Sequence, residues 1–191
     1  MSGNFIEGQI FSDSTFKSRG LSISEFSNCK FNSCQLANAD FENFQFTDCV
    51  FTDCDLSMAS LKNTAFRDVV FKECKFIGTR FDICNRLLLN LSFISCQLNY
   101  ASFFQLDLKK SKFDQCTLQE TDFVEADLQG IEFKHCDLEN AMFEQTNLQS
   151  TDLTGSHSFS IDPEKNRING AHFSIDQLYG LLKKYNLQFD V

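Results

Sequence analysis

Residues 26–61 read FSNCKFNSCQLANADFENFQFTDCVFTDCDLSMASL, with a large apolar residue at every fifth position: Phe26, Phe31, Leu36, Phe41, Phe46, Phe51, Leu56 and Leu61. Outward from this stretch the series reaches back through Leu21 and Phe16 to Phe11, with Ile6 one step further. It runs forward through Phe66, Phe71 and Phe76 to Phe81. The next step falls on Arg86 and fails. A second series starts at Leu88 and continues through Phe93, Leu98, Phe103, Leu108, Phe113, Leu118, Phe123, Leu128, Phe133, Leu138, Phe143 and Leu148 to Leu153. The chain has 23 Phe in 191 residues, no Trp and one Pro. A bias this strong, laid out at a fixed interval, marks a repeating architecture.

A period of five fits neither a helix nor a flat strand. It requires a chain that turns a corner every five residues, and four corners close a square of about twenty residues. With the central Phe or Leu called i, the residue at i−2 also points inward and should be small. Cys29, Cys34, Ala39, Cys49, Cys54, Ala59, Thr64, Cys74, Cys96, Ala101, Ser111, Cys116, Thr121, Ala126, Cys136, Ala141, Thr146 and Thr151 occupy it. Positions i−1, i+1 and i+2 are mostly polar and should face water. Successive coils are expected to stack about 4.8 Å apart as parallel strands, and each coil depends on its neighbours for burial. The step from Phe81 to Leu88 is seven residues. Removing two of them aligns Cys34, Cys54, Cys74, Cys96, Cys116 and Cys136 on one face. Residues 82–87 are therefore read as a bulge in one continuous helix, 1–155.

Ala126-Asp127-Leu128-Gln129-Gly130 and Thr151-Asp152-Leu153-Thr154-Gly155 resemble the motif of the pentapeptide-repeat family: small residue, Asp or Asn, Leu or Phe, Ser or Thr, variable. The resemblance covers residues 6–155. It implies an all-β solenoid, a right-handed quadrilateral parallel β-helix of pentapeptide repeats with a short C-terminal helix.

Past Leu153 the pattern stops, and 156–191 is expected to be a cap and dimerisation segment. Residues 160–167 read as a loop. Ser174 and Gln177 have the spacing of a capping box. Ile175, Leu178, Leu181, Leu182 and Tyr185 form a helical stripe, Asn186 can end the helix, and Leu187-Gln188-Phe189 reads as a short strand. A solenoid end exposes its core and an unpaired edge, so a cap is needed. The apolar surplus at Leu178, Leu181, Leu182, Tyr185, Leu187 and Phe189 is assigned to a dimer contact. The order Ile161-Asp162-Pro163-Glu164, Asn166, Ile168, then a short helix and a hydrophobic end, resembles the tails of bacterial pentapeptide-repeat proteins that protect DNA gyrase. These include the plasmid quinolone-resistance proteins, a loopless mycobacterial relative and the microcin B17 immunity protein. The resemblance implies a homodimer that imitates duplex DNA, binds the type II topoisomerases DNA gyrase and topoisomerase IV, and shields them from inhibitors or toxins. The quinolone-resistance proteins project sizeable loops, whereas only two residues interrupt these repeats. That favours the loopless relatives, and immunity to a peptide toxin or natural-product poison. The alternative is a structural scaffold or adaptor for an unrelated protein partner.

Net charge is −9. Nucleic acid and anionic membrane are poor direct partners for such a surface, whereas a basic protein groove attracts it. Residues 1–87 carry eleven acids and nine bases, and residues 88–153 eleven acids and four bases. The expected partner-binding acidic face is Asp107, Asp122, Asp127, Glu132, Asp137 and Asp152, all at i−1. Lys109, Lys110 and Lys112 read as a solvated cluster. The nine cysteines are expected to be free core residues, since a ladder of parallel sulfurs does not converge on zinc. His135, His157 and His172 are not near one another in the pattern. No nucleophile–base–carboxylate set and no Gly-rich phosphate loop can be assigned, and flat solenoid faces lack clefts. No catalytic residue, metal or cofactor is therefore expected, and the chain should not be an enzyme. Ice binding is disfavoured because no Thr ladder runs along a face. Without an apolar run suited to a signal peptide or a bilayer span, the expected location is the cytoplasm, where thiols stay reduced.

Overall fold

The computed structural model describes residues 5–13 and 24–188; Phe16, Leu21 and Phe189 lie outside them. Each five-residue unit is a short extended segment followed by a corner. The corner residue, two after the central Phe or Leu, takes a left-handed backbone, as at Asn28 (φ 50), Asn38 (φ 59), Asp48 (φ 52) and Asn63 (φ 54). Asn and Asp tolerate this region better than most L-residues, which explains their frequency there. The residue at i−1 completes the corner. A carboxylate or amide oxygen of Asp40, Asp55, Asp107, Asp122, Asp127, Asp137, Asn147 or Asp152 accepts the backbone N–H two residues on, at 2.8–3.3 Å.

The strands are β1 (Phe5–Glu7), β2 (Ile10–Ser12), β3 (Glu25–Ser27), β4 (Lys30–Asn32), β5 (Gln45–Thr47), β6 (Val50–Thr52), β7 (Ala65–Arg67), β8 (Val69–Lys72), β9 (Leu91–Ile94), β10 (Lys112–Asp114) and β11 (Phe133–Lys134). They form two parallel sheets, β1-β3-β5-β7 and β2-β4-β6-β8-β9-β10-β11. In the first, Ile6, Phe26, Phe46 and Phe66 stand in register; in the second, Phe11, Phe31, Phe51, Phe71, Phe93, Phe113 and Phe133 do. Two further sides are joined by single bridges. The third runs Gln35, Asp55, Lys75, Gln97, Thr117, Asp137, His157; the fourth runs Arg80, Ser102, Asp122, Met142. These four faces, taken in chain order, make the quadrilateral.

Phe rings stack up each column and meet edge-on across the interior. Phe93–Phe113 and Phe113–Phe133 are stacked at 5.3 and 5.2 Å, as are Phe81–Phe103 and Phe103–Phe123 at 4.9 and 5.3 Å; Phe103 and Phe113 meet at 87°. Both are favoured aromatic arrangements. The i−2 residue contributes more than small size. Hydroxyls of Thr64, Thr121, Thr146 and Thr151 donate to carbonyls 23 residues back at 2.7–2.9 Å. The thiols of Cys49, Cys54, Cys116 and Cys136 do the same at 3.4–3.6 Å. Cys therefore serves as a small apolar residue that still donates weakly. All nine cysteines are free and buried, and burial pushes Cys49 up to about 11. The rule of a small i−2 residue has exceptions: Phe44, Leu106 and Ile131 are buried there.

The seven-residue step is absorbed at residues 86–90, overlapping the end of 82–87 and reaching past it. Ala65 still pairs with Asn85, twenty residues on, whereas Val69 pairs with Leu91 and Phe71 with Phe93, twenty-two on. The two extra residues therefore lie between Asn85 and Leu91. Cys84 stays in the core because residues up to 85 keep the old register. Leu88 is not a core residue: it is 63% exposed and Leu87 64%, while Leu89 and Leu91 are buried. Ser111 has its usual acceptor position, 23 residues back, at Leu88 inside this bulge, and its buried Oγ finds no partner.

Parallel pairing runs past residue 155, through Asp137–His157, Asn147–Arg167 and Asp152–His172. The segment read as a loop is thus part of a further coil. Asn166 takes an inward place, accepting from the Thr146 N–H at 2.9 Å and donating to the Phe143 carbonyl at 3.0 Å. A short helical run follows: a 3-10 turn at Ile175–Gln177, helix α1 (Tyr179–Leu182) and a 3-10 turn at Lys183–Tyr185. The capping box does not form. Ser174 makes no side-chain cap; its Oγ accepts from the Gly155 N–H. Asn186 does end the run, with φ 48 and ψ 43. Leu187 and Gln188 are not in a strand.

Candidate functional site: an acidic side of the rod

Consecutive pentapeptides lie on consecutive faces, so six i−1 acids cannot share one face. Asp107 and Asp127 are on the first, Glu132 and Asp152 on the second, Asp137 on the third and Asp122 on the fourth. The expected acidic face is therefore a ring around the rod. Five of its six members also hold a corner together, with an oxygen on the backbone N–H two residues ahead. Glu132 alone has no such bond.

The charge is nevertheless sided. Between residues 88 and 153, Lys109, Lys110, Lys112 and Lys134 all fall on the first and second faces, beside Asp107, Asp114, Asp127, Glu132 and Asp152. Lys109 bonds Asp107 and Asp127 at 3.1 and 2.9 Å, and Lys134 stands 3.9 Å from Asp114. Burial pushes the Asp127 carboxyl up, but its bonds from Lys109, the Gln129 N–H and Asn147 outweigh this and leave it below its ordinary value. The Thr154 hydroxyl holds Asp152 low in the same way.

The third and fourth faces of that span, with their corners, carry Glu120, Asp122, Glu125, Asp137, Glu139 and Glu144 and no Lys or Arg. Neutral donors, mostly from the preceding coil, hold these carboxylates: Gln105 on Glu125 at 2.8 Å, Gln119 on Asp137 at 2.7 Å, Ser102 on Asp122 at 3.4 Å and Tyr100 on Glu120 at 3.3 Å. Such bonds fix position without cancelling charge. The first Lys comes in the next coil, where Lys165 meets Glu144 at 2.9 Å; the His157 ring stands 3.5 Å from Asp137. Glu120, Glu125, Glu139 and Glu144 occupy i+1 and i+2. A reading confined to i−1 passes over them; sorting the acids by column would have found them.

The tail residues separate into two groups. Leu181 packs on the core, and buried Gly180 lies against Phe159 with its carbonyl accepting from the Ile161 N–H at 3.0 Å. A Cβ at 180 would come within 2.6 Å of the Phe159 ring and carbonyl. Lys184 ties the run to Asp162 and Glu164 at 2.6 and 2.8 Å, and the Tyr185 hydroxyl bonds Glu164. Leu181 is thus an anchor and not free contact surface. Ile175, Leu178, Tyr179, Tyr185 and Leu187 are exposed, Ile175 at 87%, and Leu182 is half-buried. Among the described residues no helix is long and apolar enough to cross a membrane, and no group of His, Cys, Asp and Glu is placed to hold a metal ion.

Stacked five-residue segments around a Phe/Leu interior define a parallel β-solenoid. The pentapeptide repeat region model matches residues 24–103, 71–141 and 105–173. The chain belongs to the pentapeptide-repeat family. Among solved structures it is similar to trypsin-treated QnrB1, a plasmid-mediated fluoroquinolone resistance protein, at 20% identity over 98% of both chains with a TM-score of 0.49. It is also similar to HetL, a pentapeptide repeat protein involved in heterocyst differentiation regulation from Nostoc sp. strain PCC 7120, at 15% identity over 88% of this chain and 82% of that one, TM-score 0.41. A pentapeptide repeat protein of the Arabidopsis thaliana thylakoid lumen matches at 20% identity over 71% and 62%, TM-score 0.28. Likeness at this level says nothing of a partner. No curated protein matches the chain in sequence.

Proposed function

We propose that the protein is a non-enzymatic DNA mimic. It forms a homodimer, binds DNA gyrase and topoisomerase IV in the cytoplasm, and protects them from an inhibitor or toxin. The observation that carries this reading is the two-sided charge of residues 88–153: six carboxylates on the third and fourth faces, which carry no Lys or Arg, while all four lysines of that span lie on the first and second. A rod with coils about 4.8 Å apart and one side negative presents to a DNA-binding saddle what phosphates present. A poison that traps gyrase on cleaved DNA needs DNA in that saddle, so a competing rod lets the enzyme recover.

The dimer contact is the stripe of exposed Leu178, Tyr185 and Leu187 and half-buried Leu182, with Ile175 and Tyr179; Phe189 belongs to the same sequence pattern. Burying such residues contributes about 25 cal/mol per Å². Leu178→Ser with Tyr179→Ser should convert a sedimenting dimer to a folded monomer, with a lower melting temperature as the stabilisation from association is lost. A wild-type protein that sediments as a monomer at micromolar concentration removes the dimer from the account.

The functional test is gyrase supercoiling with and without the protein, across a panel of poisons including a quinolone, a peptide toxin and natural products. Recovery of supercoiling under at least one poison is expected. No binding at low salt and no change with any poison would leave a scaffold for an unrelated partner as the reading.

A further inference from the structure

We infer that the acidic side grips its partner through an apolar centre on the fourth face, so that the partner surface is apolar in the middle and basic at the rim. The centre is Phe104, Val124 and Met142, with Tyr100 at the adjoining corner. Phe104 and Val124 follow the core residues Phe103 and Phe123 in successive coils, held in step by the Gln105 N–H on the Val124 carbonyl at 3.0 Å. Met142 stands next to Asp122 through a parallel bridge. All four side chains sit at outward positions of the repeat. Tyr100 is 57% and Met142 48% exposed, and Phe104 and Val124 are half-buried.

The third face of the same coils is polar, with Gln97, Asn99, Thr117 and Gln119 in the outward places. Between residues 95 and 145 these four are the only apolar side chains that are exposed or half-buried; outside that span Ile94 on the second face and Ile77 on the third also face outward. Carboxylates ring the patch: Glu120 at one corner, Glu125 at the other, Asp122 within, Glu144 beyond. An aromatic and Met centre inside a charged rim is the composition of a protein-binding surface, whereas a solvated face has no use for the centre. Among the described residues two cations border it, Arg80 next to Ser102 and paired with Asp82, and Lys165 on Glu144; the remaining rim carboxylates have no Lys or Arg partner and select a basic surface.

This inference rests on the gyrase reading and adds to it. A purely electrostatic mimic loses its affinity as salt screens it; one with an apolar centre keeps part of it. The experiment measures equilibrium binding of the full-length protein to purified gyrase at about 50 and about 300 mM salt, where screening differs strongly. Tyr100→Gln with Met142→Gln, both exposed positions, should weaken binding about tenfold at both salt levels, as loss of interface anchors does. The melting temperature should not change. Phe104→Ser should act in the same direction. Glu120→Gln, Glu125→Gln and Glu144→Gln together should instead flatten the salt dependence. If the apolar variants bind as tightly as wild type, the inference falls and the electrostatic mimic stands. If wild type does not bind at low salt, both fall.

Discussion

Between residues 88 and 153 the two sides of the rod are built alike and charged differently. Below the surface both use ring columns with spacings near 5.3 Å, Phe93–Phe113–Phe133 under the second face and Phe103–Phe123–Phe143 under the fourth. Above it, the first and second faces mix lysines with acids in close pairs. The third and fourth hold acids on neutral amide and hydroxyl donors. The interior must satisfy one packing rule everywhere, so it cannot distinguish the sides. The outward positions are free of that rule, and whatever distinguishes a partner has to be written there. Asp at i−1 is the exception: its oxygen builds the corner on every face, so its presence reports the fold before it reports a partner.

The largest expected effects should be equal on the two sides. Phe103→Ala and Phe113→Ala each remove a fully buried ring and should cost about 3–5 kcal/mol, read from urea unfolding. A gap of more than about 2 kcal/mol between them would mean the sides also differ in packing. Next comes Gly180→Ala, which touches neither side. Its Cβ meets the Phe159 ring and carbonyl at 2.6 Å, so the tail should shift at a cost of about 1–3 kcal/mol. Dimer should be lost in sedimentation while the surface of the half-rod stays intact.

A smaller effect separates corner building from charge. Asp122→Ala removes the acceptor of the Val124 N–H, a bond of 2.9 Å, and should cost about 1 kcal/mol. Asp122→Asn keeps an acceptor and should be nearly neutral to stability. Equal losses would mean that the carboxylate charge, not the turn, supports the corner. Smallest is the acid limb of the stability curve. Asp127 and Asp152, on the lysine side, have lowered pKa values in the folded state. Their contribution is present above the unfolded value of about 3.9 and lost as pH falls through the folded one. The melting temperature should therefore hold from about pH 7 to 5 and drop below about pH 4. Asp127→Asn with Asp152→Asn should shrink that drop.

Most of the fold was legible because a central Phe or Leu every five residues leaves one way to close a chain. The corner geometry was less so: Asn28 or Asp48 at i+2 looks like ordinary surface until its positive φ is seen. By the five-residue count alone, Leu88 is a core position. The bulge puts it outside and lets Leu89 and Leu91 in, a choice made by local backbone pairing that a column of letters does not carry. Residues 160–167 read as a loop because Pro163 and the charges around it hide Asn166, a polar residue that fills an inward place through hydrogen bonds. The site was legible as an excess of acid in one stretch but not as a side. A five-residue count shows which residues point out; only the twenty-residue coil, with its two-residue offset, shows which of them point out together.

The central claim is that the side, and not the net charge, binds the partner. The most direct measurement is gyrase affinity at low salt for two variants of equal charge change. One carries Glu120→Gln, Glu125→Gln, Glu139→Gln and Glu144→Gln. The other carries Asp107→Asn, Asp127→Asn, Glu132→Gln and Asp152→Asn. The first should lose about a hundredfold and the second less than about threefold, because opposed charges act mainly within a Debye length of the contact. Equal losses from the two variants, or a greater loss from the second, would contradict the account.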